Sequence, residues 1–342
     1  MEALRIQHDG DSAEFSLFGG QLLRWQAGGR ERLFLSPRAV LDGRTAIRGG
    51  VPVIFPQFNA RGPFARHGFA RTQGWQLREH HANRLLLELT DSEATRALWP
   101  HRFALRLHAR IESDALSLAL EVESRDERAF EFSCALHSYF ACALGQTRVR
   151  GLADCGFEED GDWHPPSGHA ALFPAPPLDR IYRGVAVTPP AECSPANPIA
   201  AALSLNPSSP RGRGPSASMT EADLPWAPAF AGATRDAGSQ ALWLECGDRT
   251  LAIESAGFAD WVVWNPGREG AAALTDLGAD CSECFLCIEP GRIFEPIRLE
   301  PGERWTGALR MRVADALGAI ERSQSTTTGT AMAGSKPQHR SA

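Results

Sequence analysis

The chain has 342 residues, 43% of them apolar and 22% charged, which is enough for a large buried core and near the ~25% charge of ordinary globular proteins. Its 35 Lys+Arg against 41 Asp+Glu leave a net charge of −6, which argues against a general nucleic-acid or anionic-membrane surface. No run approaches the roughly 18 apolar residues of a membrane-spanning helix, and the start lacks a basic segment followed by an apolar one. A soluble, cytoplasmic protein is expected.

In chain order, the first chemically dense stretch is Ile47-Arg48-Gly49-Gly50-Val51-Pro52-Val53-Ile54-Phe55-Pro56-Gln57-Phe58, followed by Arg66-His67-Gly68-Phe69-Ala70-Arg71. Glycines permit tight turns and prolines fix the chain. Guanidinium groups on such a scaffold can fork onto a phosphate or carboxylate, although ordinary surface arginines would read the same way. Leu85, Leu87 and Leu89 then alternate with other residues as a half-buried strand does, and Asp91–Trp99 reads as one short helix stopped by Pro100. Phe103, Leu105, Leu107, Ala109 and Ile111 alternate up to Ser113-Asp114, and Leu116, Leu118, Leu120 and Val122 resume the alternation, which predicts a hairpin with one buried face.

In Phe132-Ser133-Cys134-Ala135-Leu136-His137-Ser138-Tyr139-Phe140 a single histidine sits in an apolar run. Taken alone, it fits a satisfied core histidine better than a catalyst. Asp179, in Leu178-Asp179-Arg180-Ile181-Tyr182, is the weakest candidate taken alone, since an Asp at a turn is usually a cap or turn residue. From about 188 to 240 the chain is dominated by Pro, Ala, Ser and Gly without a period, and predicts a disordered insertion between two strands. Trp243–Cys246 and Leu251–Ile253 flank Gly247-Asp248-Arg249 as a second hairpin.

Cys281, Cys284 and Cys287 give two Cys-x-x-Cys spacings. A zinc site of that kind needs a second ligand pair nearby, and in a strand Cys281 and Cys284 would face opposite ways. The eight cysteines therefore read as reduced structural thiols. In Phe285-Leu286-Cys287-Ile288-Glu289 a lone carboxylate ends an apolar run. If buried, it must be paired, hydrogen-bonded or neutralised; at a strand end it would simply be solvated. Leu309, Met311 and Val313 mark a last strand, and the polar segment 321–342 reads as a disordered tail. No P-loop, Gly-x-Gly-x-x-Gly, Gly-x-Ser-x-Gly or His-Glu-x-x-His pattern occurs, which removes the common nucleotide, serine-hydrolase and metalloprotease readings.

Taken together, Ile47–Phe58, His67–Arg71, Leu136–Phe140, Asp179–Tyr182, Asp260-Trp-Val-Val-Trp-Asn-Pro266 and Cys287-Ile-Glu289 resemble, in this order, the hexose-6-phosphate mutarotase branch of the aldose 1-epimerase family. The resemblance covers roughly 10–187 and 241–313. It implies an all-β fold, a large antiparallel β-supersandwich of the galactose-mutarotase type, in one catalytic domain over 1–320. It implies interconversion of the α and β anomers of a hexose 6-phosphate, glucose 6-phosphate first. By that resemblance His137 is the catalytic acid and Glu289 the catalytic base, while Arg48, Arg66, Arg71, Asp179 and His67 bind the substrate. No cofactor or metal is implied, and the expected partner is a small phosphosugar rather than nucleic acid or a membrane, met by a monomer.

The acid and base are expected to meet across the sugar ring, with burial raising the glutamate toward neutrality and a nearby carboxylate keeping the histidine protonated. Gly267, Ala279-Asp-Cys281 and Pro290 depart from the family pattern and would alter the pocket wall. An aldose 1-epimerase for unphosphorylated sugars and a non-catalytic carbohydrate-binding protein are the alternatives. The arginine trio speaks against the first, and the pairing of an acid with a base against the second.

Overall fold

The computed structural model describes residues 3–184 and 240–314. The predicted tail and all of the predicted insertion except Gln240 lie outside these residues. Gln240 itself already pairs in a strand.

Alternating apolar residues make strands here, and the strands form three antiparallel sheets. A four-stranded N-terminal meander runs through Ala3–His8, Asp11–Ser16, Gln21–Ala27 and Arg30–Glu31. An outer eight-stranded sheet is ordered Thr147–Arg150, Gln240–Cys246, Arg249–Ala256, Arg304–Val313, Ala115–Ser124, Phe103–Glu112, Arg84–Thr90 and Gln76–His80. A central sheet, also of eight strands, is ordered Asp162–His164, Gly156–Glu159, Leu178–Arg183, Asp260–Asn265, Phe285–Leu299, Phe130–Leu136 and Val53–Ile54, with Tyr139–Ala141 added beside Phe285–Leu299.

Both predicted hairpins form. In the first, Phe103 pairs with Ser124 and Glu112 with Ala115 around Asp114, whose φ of 59° suits a tight turn. Phe103, Leu105, Leu107, Leu118 and Leu120 pack with Phe132, Trp261, Leu286 and Ile288 of the central sheet in one core, which also takes in Phe15 and Trp25 of the meander. Burying each such side chain contributes about 1.5–3 kcal/mol. The hairpin's other face is less solvated than the alternation predicts. Arg106 there binds Glu88, Glu121 and Glu123 across three strands, so the charges cover one another.

The single predicted helix forms at Glu93–Leu98, with Ser92 accepting from the Thr95 amide and the Thr95 hydroxyl accepting from the Ser92 amide. A second helix, Gly267–Ala273, was not expected; Asn265 holds its start by accepting from the Gly267 amide. Cys281 ends a short turn of 3₁₀-helix rather than lying in a strand, which removes the opposite-face argument made from the spacing. No described helix is long and apolar enough to cross a membrane.

Candidate active site

Period-two alternation in three adjacent central strands builds one wall of a pocket. Leu178 and Tyr182, Trp261 and Val263, and Leu286 and Ile288 all point into the main core. Their neighbours Asp179, Val262, Trp264 and Glu289 therefore share the opposite face. Asp179 stands opposite Trp264, and Val262 opposite Glu289. His137 joins them where the Phe130–Leu136 strand ends, its amide donating to Pro52 O at 3.0 Å.

The segment 47–71 closes over this face, held by buried polar bonds. Gln21 Nε2 donates to Ile47 O and Gly49 O at 3.2 and 2.6 Å. Gln57 bridges Asn59 and Phe64, and the Phe58 amide donates to Ser133 Oγ at 2.8 Å. The pocket between them, of about 260 Å³, is lined by Arg48, Arg66, His67, Arg71, His137, Asp179 and Glu289 together with Phe58, Asn59, Val262, Trp264 and Leu274. All seven residues singled out in the sequence thus meet in one place. A larger cavity of about 610 Å³ near Leu172 offers no comparable chemistry: its Arg148 and Arg150 are paired with Glu245, and its Arg180 with Glu159.

At the bottom of the pocket His137 Nδ1 lies 3.2 Å from Glu289 Oε1. The two groups are side by side, not across a ring's width as expected. Their alignment is not that of a hydrogen bond, and both His137 Nδ1 and Glu289 Oε2 are buried without a hydrogen-bond partner. Glu289 is 1% exposed and His137 7%, so the solvated-strand-end reading of the glutamate is excluded.

Burial, reinforced by the Asp179 carboxylate, raises the Glu289 pKa well above the ordinary carboxylate range, against the pull of Arg66 and Arg71. Burial also lowers His137 well below its ordinary value, helped by His67, Arg71 and Arg48. Burial and the guanidinium field thus favour the neutral histidine, against the expectation of a protonated one. The His137 ring stacks on Tyr139 at 4.8 Å and meets the edge of Trp264 at 5.8 Å.

The arginines differ in how much of their charge is already engaged. Arg48 Nε donates to Asp276 Oδ2 at 3.2 Å and its Nη1 to the Tyr139 hydroxyl at 3.1 Å. Arg71 donates through Nη2 only to Arg66 O, and its buried Nε has no partner. Arg66 is exposed at the rim. His67 accepts the Asn59 amide at Nδ1, at 3.3 Å, which leaves its proton on Nε2. Burial and the three arginines push its pKa down to about 3, so it is a neutral hydrogen-bond donor.

None of the three departures from the family pattern lines the cavity. Gly267, with φ +68°, lies where an added Cβ would come within 3.2 Å of Pro177 N, so its backbone has a reason of its own. Pro290 shares the core-facing side of its strand with Leu286 and Ile288. Two residues that hold Arg48 were missed. Tyr139 sits two places from His137, inside a segment already singled out, whereas Asp276 carries no local signal because its partner lies 228 positions away.

The sheet order and this pocket define a mutarotase-type β-sandwich, and the comparisons agree. Residues 2–180, more than half the chain, match the family described as aldose 1-epimerase. The chain belongs to that family. A relative from Escherichia coli strain K12, provisionally named glucose-6-phosphate 1-epimerase, is 32% identical over 302 residues, 84% of this chain and 82% of the relative. A relative from Cenchrus ciliaris with the same provisional name is 28% identical over 316 residues, 87% and 80%. Among solved structures, a provisionally named mutarotase, YeaD of Salmonella typhimurium, matches with TM-score 0.67 and 25% identity over 91% of this chain and 89% of its own. The Slr1438 protein of Synechocystis matches in fold with TM-score 0.64 at 19% identity, over 91% and 95%.

Proposed function

We propose that this protein interconverts the α and β anomers of a hexose 6-phosphate, glucose 6-phosphate above all, by acid–base opening and reclosure of the ring. The observation that carries the reading is the contact between His137 and Glu289 in a pocket shared with three guanidinium groups. Opening a pyranose takes a proton from the anomeric O1 and gives one to the ring oxygen O5. Both oxygens are bonded to C1, so an acid and a base that serve them must lie side by side.

Glu289 takes the O1 proton as His137 gives its proton to O5. The open aldehyde turns about C1–C2, and reclosure on the other face returns both protons. The pair thus carries one mobile proton: Glu–COO⁻ with His⁺ before opening, Glu–COOH with neutral His after it. Burial favours the second arrangement. A bound phosphate, at about −1.5 to −2 charge, would offset the Arg48 and Arg71 field that disfavours His⁺ and so support the first. Arg71, with its free buried Nε–H, is the leading phosphate clamp, with Arg48 beside it and Arg66 at the mouth. Asp179 and the His67 Nε2–H are placed to bind hydroxyls.

Exchange NMR or polarimetry on fresh glucose 6-phosphate tests the reading. Glu289→Gln and His137→Ala should each lower kcat by about 10²–10⁴-fold with the fold intact by circular dichroism. Full activity in both variants would discard the mechanism, and equal turnover of free glucose would discard the phosphosugar preference.

A further inference from the structure

The mechanism leaves a buried thiol beside its two proton carriers unused. Cys287, 0% exposed, lies two residues before Glu289 on the same strand and so on the same face. Its strand neighbours are Tyr139 on one side and Trp264 on the other. The ligand atoms of His137, Cys287 and Glu289 all lie within 4.8 Å of one another. Two of the pocket's three unpartnered buried atoms, His137 Nδ1 and Glu289 Oε2, belong to this same trio; the third is Arg71 Nε.

We propose that His137, Cys287 and Glu289 form a binding site for a thiophilic divalent cation, with zinc as its probe, and that a cation bound there inhibits the enzyme. An imidazole, a thiolate and a carboxylate make a donor set that suits zinc, and three protein ligands leave a fourth position for water. Tetrahedral zinc with ordinary bond lengths sets its donors about 3.3–3.6 Å apart. The His137–Glu289 pair, at 3.2 Å, is already near that spacing, and the thiol, within 4.8 Å of both, needs to close by at most roughly 1.2–1.5 Å.

Charge does not forbid the site. The cation replaces the proton of the Cys287 thiol and that of the Glu289 carboxyl, two charges out for two in. Arg48 is already engaged by Asp276, whereas Arg66 and Arg71 keep their charge and oppose the cation. The trio also re-reads the Cys-x-x-Cys run. Cys281 and Cys284 are not part of the cluster, and Cys287 finds its co-ligands through the sheet rather than along the chain. Inhibition follows if His137 and Glu289 are the proton carriers, so that part rests on the proposed function. Binding does not.

The full chain, stripped of metal, is titrated with zinc against a chromophoric chelator. One equivalent should bind the native protein, and Cys287→Ala should weaken binding at least about tenfold. Cobalt should give a near-ultraviolet thiolate-to-metal band that Cys287→Ala lacks. Each protein's anomerisation with and without zinc is compared with itself, and the inhibition should shrink in the variant. Cys287→Ser, closer in size, serves if the alanine variant does not fold. No zinc bound by the native protein, or equal affinity in protein and variant, overturns the site. Zinc binding with no anomerisation in metal-free protein would instead overturn the proposed function and leave the site standing.

Discussion

The chemistry of single residues here is set by what each touches rather than by its type. Arg48 and Arg71 carry the same group, yet Arg48 is held by Tyr139 and Asp276 while Arg71 keeps a buried N–H free. Tyr139 has two separable tasks: its ring stacks on His137, and its hydroxyl accepts from Arg48. Tyr139→Phe keeps the stack and strands one charged donor, at a cost of about 1 kcal/mol. If Arg48 grips the phosphate, KM for glucose 6-phosphate should rise about fivefold with kcat nearly unchanged. Steady-state kinetics decides, and a fall in kcat at constant KM would instead place the hydroxyl in the proton path. At this scale the sequence pointed to Glu289 more firmly than to His137, because a carboxylate at the end of an apolar run demands an explanation and a histidine does not. That the two groups touch was not legible, since it depends on how the strand Phe130–Leu136 ends beside Phe285–Leu299.

Elements place these residues with little freedom. The turn that presents Arg48 passes through Gly49 at φ +112° and Gly50 at φ +62°; a Cβ on Gly50 would lie 2.1 Å from Leu22 O. Backbone bonds from Gly50 N to Phe34 O and from Tyr139 N to Gly50 O fix the turn against both neighbours. Gly50→Ala would combine a strained φ, about 1–3 kcal/mol, with a backbone clash. The melting temperature should therefore fall by several degrees and sugar-phosphate affinity should fall with it. An unchanged melting curve would mean that the turn can shift at no cost. Elements were the most legible level. The hairpins announced themselves by alternation, and Glu93–Leu98 by its polar start and following proline. The helix Gly267–Ala273 did not, because Gly-Arg-Glu-Gly-Ala-Ala-Ala has no apolar stripe; it is held by Asn265 and by burial of Ala271. The loop 47–71 was legible as a scaffold for cations, but not as a cover, because Gln21 and Ser133 hold it from far along the chain.

For the molecule as a whole, the two large sheets and the meander share one core while the chemistry sits on the far face of the central sheet, and the polar residues buried along the way make stability depend on pH. His67 and His108 are buried, and desolvation with nearby arginines pushes their pKa values down to about 3 and about 4. In the unfolded chain both return to about 6.5. A lowered folded-state pKa means that the unfolded chain binds protons the native state refuses. The stability these residues contribute is therefore complete above about pH 6.5 and is lost as pH falls toward about 4. Each should cost about 2 kcal/mol between neutral pH and pH 5. His137 acts in the same direction and Glu289, with its raised pKa, in the opposite one, so the clean measurement is a difference. Urea midpoints for the native protein and His108→Gln, taken at pH 7.5 and pH 5, should show the gap between them shift by about 2 kcal/mol in favour of the variant at the lower pH. A gap independent of pH would mean that His108 takes up its proton over the same pH range in the native and the unfolded chain, and that burial and the Arg106 guanidinium do not hold it neutral.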